Sequence, residues 1–389
     1  MSNSSEIIFN ALEQIQFGRI HVHTAWGQSY IFQGTEAGPE ASIQVKDYEF
    51  FRLLLDRGDI GLGEGYMYGY WDSENLSLLI EFGVRNQQAL RRAIRGNWYK
   101  ILSYKAKHWL NRNSRSGAKK NIRQHYDLGN DFYSQWLDET MTYSSAFWSE
   151  QKGLSLSEAQ ENKYQKLLDF LQPEPGAHIL EIGCGWGGFA EYAGARGYRV
   201  TGVTISQAQY EYARQRIEKN EFSHRVHLLL SDYRDLDGHF DHVVSIEMIE
   251  AVGQEYWKTY FKKIKQLTRP GGKVAIQSIV MNDDDFDQYI QGTDFIQQYI
   301  FPGGVLPSPN ILKYRVVDIS GTQLKMLGFG LDYARTLEVW RKEFLQSWNS
   351  INSMGYNHEF RRMWEFYLAY CEGAFRAGKI DVLFLSFQL

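Results

Sequence analysis

The 389-residue sequence lacks the features of several large protein classes. It has only two cysteines, Cys184 and Cys371, which argues against a disulfide framework and against a cysteine-ligated metal site. No stretch approaches the roughly 20 consecutive apolar residues of a membrane span. The N-terminus has no basic segment followed by an apolar run, so we expect no signal peptide. The sequence therefore predicts a soluble cytoplasmic protein that binds a membrane at most peripherally.

Acidic residues are missing from one long segment. No Asp or Glu lies between Asn86 and Tyr126, a stretch rich in Lys and Arg that also contains Trp98, Tyr99 and Trp109. A basic segment with Trp and Tyr is attracted to an anionic membrane surface, at about 1 kcal/mol per basic residue. A nucleic-acid patch or a plain linker would have a similar composition. The net charge of the whole chain is −4, so composition gives no general drive toward nucleic acid or anionic lipid. From the local segment we favour a membrane surface as the partner.

Aromatic residues, in contrast, are abundant at 15% of the chain. They suit a protein that handles a bulky apolar ligand, although a large aromatic core is equally compatible. A glycine and aromatic cluster runs from Gly61 to Asp72, and we interpret it as a packed turn or as an apolar platform. An apolar segment from Asn282 to Pro309 either walls an acyl-binding tunnel or covers the core as a helix.

Strands and helices alternate in the second half of the chain. The predicted strands are residues 179–182, 197–206, 225–230, 240–247 and 273–279, with helices predicted over 207–220 and 256–267. This spacing implies an α/β fold with parallel strands and right-handed crossovers. Ligands of such sheets bind beyond the carboxyl ends of the strands.

A glycine loop follows the first of these strands. Glu181 to Gly187 reads Glu-Ile-Gly-Cys-Gly-Trp-Gly, a strand end, a turn and the approach to a helix. This spacing is neither the dinucleotide fingerprint nor a P-loop. It matches the first loop of an S-adenosylmethionine (SAM) methyltransferase, and a tight turn without a ligand is the alternative.

Five motifs in order resemble the cyclopropane-fatty-acyl-phospholipid synthase and mycolic acid cyclopropane synthase family of SAM-dependent enzymes. The motifs lie at residues 125–131 (HYDLGND), 142–146 (TYSSA), 181–187 (EIGCGWG), 246–253 (IEMIEAVG) and 332–337 (DYARTL). The resemblance implies a class I SAM-methyltransferase fold, Rossmann-like, with a mostly parallel seven-stranded sheet and a smaller α+β N-terminal lipid-binding domain. We accordingly expect a substrate- and membrane-capture domain over 1–112 and a catalytic domain over 113–389, with an acyl-tunnel insert at 282–309.

The resemblance also implies an activity. Members add a methylene group to a cis double bond of an acyl chain, and we expect cyclopropanation of unsaturated phospholipid acyl chains by a homodimer at the inner leaflet of the cytoplasmic membrane. One alternative is a relative that forms methylene- or methyl-branched chains. An alternative of another class is a lipid-binding pseudoenzyme.

Catalytic positions are carried over residue by residue. The family's base is taken to be a bound bicarbonate, and the implied catalytic set is Glu250, Tyr333, Gln277, Ile279, Ser145 and, with low weight, Cys371. Three positions depart from the family pattern: Ser145 stands where Cys is common, Gln277 where His is common, and Ala251 where His usually follows the glutamate. Gln and Ser keep hydrogen-bonding capacity, but Gln cannot become a cation. We expect Cys371 to be a structural thiol.

The implied SAM-binding residues lie on two sides of the loop. No acidic residue ends the second strand, where many SAM enzymes bind the ribose. The set is Tyr126, Tyr143, Ser144, Gly183, Cys184, Gly185, Gly187, Thr204, Ile205, Gln209, Asp232 and Tyr233.

Overall fold

The computed structural model describes residues 3–94, 128–148, 153–320 and 324–389. They form two compact units. The N-terminal unit comprises Met1–Leu110, Gln288–Pro302 and Leu337–Ile380, and the sheet unit comprises Asn111–Asp287, Gly303–Thr336 and Asp381–Leu389. The predicted domain boundary at residue 112 stays a prediction. Residues 288–302 and 337–380, which the resemblance assigns to the catalytic domain, belong to the N-terminal unit in the structure. Most of the predicted membrane-binding segment, residues 95–126, lies outside the described residues.

Helices flank both sheets of the protein. Within the described residues they are, in chain order, α1 Asn3–Leu12, α2 Glu49–Met67, α3 Leu76–Arg85, α4 Gln87–Ile94, α5 Asn130–Tyr133, α6 Leu156–Leu171, α7 Gly188–Ala195, α8 Gln207–Glu218, α9 Ile249–Val252, α10 Trp257–Leu267, α11 Asp283–Tyr289, α12 Phe295–Tyr299, α13 Pro309–Ser320, α14 Gly330–Gln346, α15 Trp348–Ser353 and α16 His358–Arg376. No helix of this part of the chain is long and apolar enough to cross a membrane.

The strands form two sheets. They are β1 Phe17–Thr24, β2 Ser29–Gln33, β3 Glu36–Val45, β4 Trp71–Asp72, β5 His178–Ile182, β6 Arg199–Thr204, β7 Val226–Leu230, β8 Phe240–Ile246, β9 Thr268–Met281, β10 Lys325–Gly328 and β11 Ile380–Gln388. The first four make a sheet of order β2-β1-β3-β4, and the other seven a sheet of order β10-β11-β9-β8-β5-β6-β7. Strands β5 to β9 pair in parallel, whereas β10 pairs with β11 in the antiparallel direction. The predicted fold class is therefore confirmed.

The parallel strands form the core of the sheet unit. Ile179, Leu180 and Ile182 of β5 are fully buried, as are Val243 and Val244 of β8, which explains why both strands are runs of apolar residues. The register brings three strand ends to one edge. Ile182 pairs with Ser245, and Ile246 pairs with Gln277 of β9.

The N-terminal unit packs helices closely against one another. Residues 61–67 are the last turns of α2 and not the packed turn that was one of the two interpretations, while the apolar platform stays a prediction. A Cβ on Gly63 would lie 2.3 Å from the Phe295 ring, so glycine permits this close approach. Arg362 of α16 donates to Asp72 at 2.6 Å and lies over the Tyr66 ring at 3.7 Å.

Candidate functional site

The glycine loop turns back sharply after β5. The N–H groups of Gly183 and Cys184 both donate to the Val203 carbonyl at 2.9 Å, which ties the loop to β6. Gly187 has φ +85°, and a Cβ there would lie 3.1 Å from the Ala213 side chain of α8. Gly185 has φ +52° and no heavy atom within 4 Å of its missing Cβ position. The loop therefore leaves open space beside its backbone, which a ligand can approach closely.

Glu181 and Tyr233 each carry a buried polar atom without a partner in the described part of the chain. These atoms are Oε2 of Glu181 and the hydroxyl oxygen of Tyr233. Burial raises the pKa of Glu181 to about 8 and also raises that of Tyr233 well above its ordinary value. Buried polar groups are normally satisfied, so these atoms fit a polar ligand such as the nucleoside part of SAM.

The other predicted SAM residues lie at the ends of β6 and β7. Thr204 Oγ1 donates to Gln209 Oε1 at 2.8 Å, so these two residues, with Ile205 between them, form one polar corner at the start of α8. Both carboxylate oxygens of Asp232 accept bonds from the Arg234 guanidinium, at 2.9 and 2.5 Å. A ligand that contacts Asp232 would therefore share this carboxylate with Arg234.

Residues 143 and 144 lie beside a buried lysine. The Tyr143 ring packs against Tyr133 and Trp136, with ring centres 5.3 and 5.5 Å apart. Ser144 Oγ accepts a bond of 2.6 Å from Lys163 Nζ of α6. The predicted contact from Tyr126 lies outside the described residues.

A carboxylate cluster lies where β8 ends. Glu247 Oε1 accepts from the Ser145 N–H at 2.8 Å and from Gln277 Nε2 at 2.7 Å. Its other oxygen, Oε2, accepts from the Tyr333 hydroxyl at 2.8 Å. Ser145 and Gln277 are fully buried, and Tyr333 is 6% exposed. Three predicted catalytic residues thus converge on a glutamate that sequence reasoning did not select.

The predicted glutamate, Glu250, is the neighbouring carboxylate. Its Oε1 accepts from the Ile279 N–H at 2.5 Å, and its buried Oε2 has no partner in the described part of the chain. Met248 lies between the two glutamates in sequence, and a Cβ on Gly183 would be 3.2 Å from its sulfur. The carboxylate cluster and the glycine loop are therefore neighbours at one edge of the sheet.

Comparison with known proteins decides the family. Residues 113–385 match the family model described as mycolic acid cyclopropane synthetase. The chain belongs to this family. It is also 41% identical over 343 residues to the tuberculostearic acid methyltransferase UfaA1 of Mycobacterium tuberculosis, covering 85% of this chain and 79% of that protein. It is 36% identical over 346 residues to the cyclopropane-fatty-acyl-phospholipid synthase of Escherichia coli K12, covering 88% and 86%.

A solved structure supports the same assignment. The mycolic acid cyclopropane synthase CmaA1, solved in complex with SAH and CTAB, superimposes with a TM-score of 0.65 at 28% identity and covers 70% of this chain and 98% of its own. The predictions of a SAM-dependent transferase and of SAM itself are confirmed. The glycine loop, Glu181 and Tyr233 are the groups of this chain that would hold it, and SAM supplies a methyl group when bound.

The bicarbonate implied by the mycolic acid cyclopropane synthetase family does not fit these residues. Two side chains expected to hold it, Gln277 and Tyr333, donate to the Glu247 carboxylate, as does the Ser145 N–H. No step is therefore assigned to bicarbonate.

Both carboxyl groups of the cluster have pKa values raised above their ordinary range. Burial raises the pKa of Glu250 to about 8, and the nearby Glu247 charge raises it as well. Burial also raises the pKa of Glu247, opposed by Lys163 and by its three hydrogen bonds. Burial lowers the pKa of Lys163 to about 7. The nearby carboxylates, Glu247 most of all, partly oppose this decrease. Perturbed groups of this kind are typical of functional sites.

Sequence reasoning missed Glu247 and Lys163. Glu247 directly follows β8, and a carboxylate at a strand's carboxyl end was the available signal. Lys163 occupies the buried face of α6, between Ala159 and Leu167, where only the helical spacing could have indicated it. Cys371 lies in α16 of the N-terminal unit, and burial raises the pKa of its thiol. That is the behaviour of a structural thiol, and its role stays a prediction.

Proposed function

We propose that this protein transfers the methyl carbon of SAM to a cis double bond of a phospholipid acyl chain and that the product is a cyclopropane ring. The observation that carries the proposal is the pair of buried carboxylates, Glu247 and Glu250, next to the SAM loop. Addition of a methyl group to an alkene creates a carbocation on the acyl chain, and a proton must then leave the added carbon. Carboxylates stabilise the cation electrostatically and can accept the proton.

The proposal also includes membrane binding, an acyl-binding tunnel and a homodimer. The acid-free basic and aromatic segment between Asn86 and Tyr126 supports peripheral binding to the inner leaflet of the cytoplasmic membrane. The apolar insert over 282–309 supports an acyl tunnel. Family resemblance supports a homodimer, which light scattering of the purified protein tests. Bicarbonate, also implied by the resemblance, is not part of this proposal, because its expected donors bind the Glu247 carboxylate.

Incubation of the purified protein with SAM and vesicles of unsaturated anionic phospholipid tests the activity. We expect acyl chains heavier by one CH₂ unit and an equal amount of S-adenosylhomocysteine. Vesicles of saturated phospholipid are the matched control and should give neither product. Binding of vesicles without release of S-adenosylhomocysteine would instead identify a lipid-binding pseudoenzyme.

A second candidate product is a methylene-branched acyl chain. Two observations favour it: Gln277 stands where the family commonly has His, and the relative with 41% identity is named a tuberculostearic acid methyltransferase. In this variant of the reaction a hydride moves to the cationic carbon before the methyl proton is lost, so a C=C bond forms in place of the ring. Both products have the same mass. NMR of the purified lipid separates cyclopropane ring protons from exocyclic methylene protons.

A further inference from the structure

The Glu247 carboxylate has the surroundings of a bound oxyanion. One oxygen accepts two N–H bonds, from Ser145 and Gln277, and the other accepts the Tyr333 hydroxyl. All three donors are buried and come from separate parts of the chain: the segment after α5, strand β9 and helix α14. A carboxylate and a bicarbonate offer the same planar O–C–O edge to such donors. The donors that would hold bicarbonate are therefore occupied by a group of the protein.

The backbone of Glu247 supports a specific role. Its φ is +46°, in the left-handed region that residues other than Gly, Asn and Asp rarely adopt. Such a conformation is strained and persists where the surroundings enforce it. The Glu247 N–H donates to the Gln277 carbonyl at 2.8 Å and fixes the residue against β9. The chain thus maintains a strained residue that directs a carboxylate into the donor set.

We propose that Glu247 is the catalytic base of this protein and takes the place of an external bicarbonate. The proposal rests on the proposed function. After methyl addition, the Glu247 carboxylate takes one proton from the added methyl carbon. The C–H electron pair becomes the new carbon–carbon bond, the cation is neutralised, and the resulting carboxylic acid returns its proton to water. No oxidant or reductant is needed.

Removal of bicarbonate and of the carboxylate are the two parts of the test. In CO₂-free buffer with SAM and unsaturated phospholipid vesicles, the wild-type protein should keep its full rate, and added bicarbonate should not change it. Glu247→Gln preserves the volume of the side chain but removes the base. We expect turnover to fall at least 100-fold, the lower range for loss of a general base, with unchanged affinity for S-adenosylhomocysteine by calorimetry. The exposed Glu174→Gln variant is the control for a surface charge and should keep wild-type turnover.

A second variant tests the donor set without relying on turnover alone. Glu247→Gly suits the positive φ and leaves the three donors open to a small anion. We expect it to bind ¹³C-labelled bicarbonate, detected by NMR, whereas the wild-type protein does not. Bicarbonate at millimolar concentration should also restore activity to this variant.

The possible results separate the two proposals. If the wild-type protein modifies no unsaturated lipid, the proposed function fails. If the wild-type protein is active but loses its rate without bicarbonate, or if Glu247→Gln keeps more than a hundredth of the wild-type rate, Glu247 is not the base. If folded Glu247→Gly binds S-adenosylhomocysteine but not bicarbonate, the three donors do not form an oxyanion site and this inference is wrong.

Discussion

Replacement of Tyr333 by Phe isolates one hydrogen bond to the proposed base. The Tyr333 hydroxyl is the donor to Glu247 Oε2, and its ring is 6% exposed. Phe keeps the ring and its packing but removes the O–H. The variant should fold normally, while Glu247 becomes a weaker acid.

The size of the effect follows from the charge on Glu247. A hydrogen bond to a charged group contributes about 1.5–3 kcal/mol. One pKa unit corresponds to about 1.36 kcal/mol, so the loss should raise the pKa of Glu247 by roughly 1–2 units. In the wild-type protein, burial raises the pKa of Glu247 and the Tyr333 hydrogen bond lowers it. Loss of that hydrogen bond therefore raises the pKa further.

The assay is the pH profile of kcat/KM, since its acid limb reports the base of the free enzyme. The base works as the carboxylate, so the acid limb should move to higher pH by roughly 1–2 units. Below both pKa values the variant should be about 10–100-fold slower than wild type, and the two rates should converge at high pH. Tyr314→Phe, at a side chain that is 66% exposed, is the matched control.

Two results would refute this reasoning. An acid limb that does not move, in a Tyr333→Phe variant that binds S-adenosylhomocysteine normally, would show that Glu247 does not govern the profile. A uniform loss of rate at every pH would show that Tyr333 only positions groups and does not set the pKa of the base.

Three further predictions concern the cofactor loop and the packing of each unit. Gly187→Val should abolish binding of S-adenosylhomocysteine in calorimetry, because φ is +85° and a Cβ would press on Ala213. Thr336→Val should lower the free energy of unfolding by about 1–3 kcal/mol in urea denaturation, since its buried hydroxyl has three backbone and side-chain partners. Gly63→Ala should cost about 1–3 kcal/mol in the same assay, because its methyl group would overlap the Phe295 ring.

The sheet was predictable because its signals are local. Apolar strands that alternate with helices, and a glycine loop between β5 and α7, define the fold through short-range patterns. Of the two interpretations of residues 61–72, the packed turn was wrong over residues 61–67 for the opposite reason. Gly63 is a weak helix former, and it is retained in α2 because Phe295, more than 200 positions away in sequence, needs the space.

The site was predictable only where residues match the family motifs. Ser145, Gln277 and Tyr333 were all selected by resemblance, and their convergence depends on contacts that span 102, 30 and 86 positions from Glu247. The motif also contains Glu247, but resemblance drew attention to Glu250. Only the three-dimensional arrangement shows which carboxylate the donors surround.

The charges of the site explain why it should prefer a cationic cofactor. Lys163 lowers the pKa of both Glu247 and Glu181, while the charge on Glu247 raises the pKa of Glu250. Burial raises the pKa of all three carboxyl groups, because the buried environment does not compensate their negative charge. A bound sulfonium would supply a positive charge and lower these pKa values, so that the base is ionised when the methyl donor is present. The same negative charges would stabilise the carbocation that follows methyl addition, which links cofactor binding, deprotonation and product formation through one electrostatic arrangement.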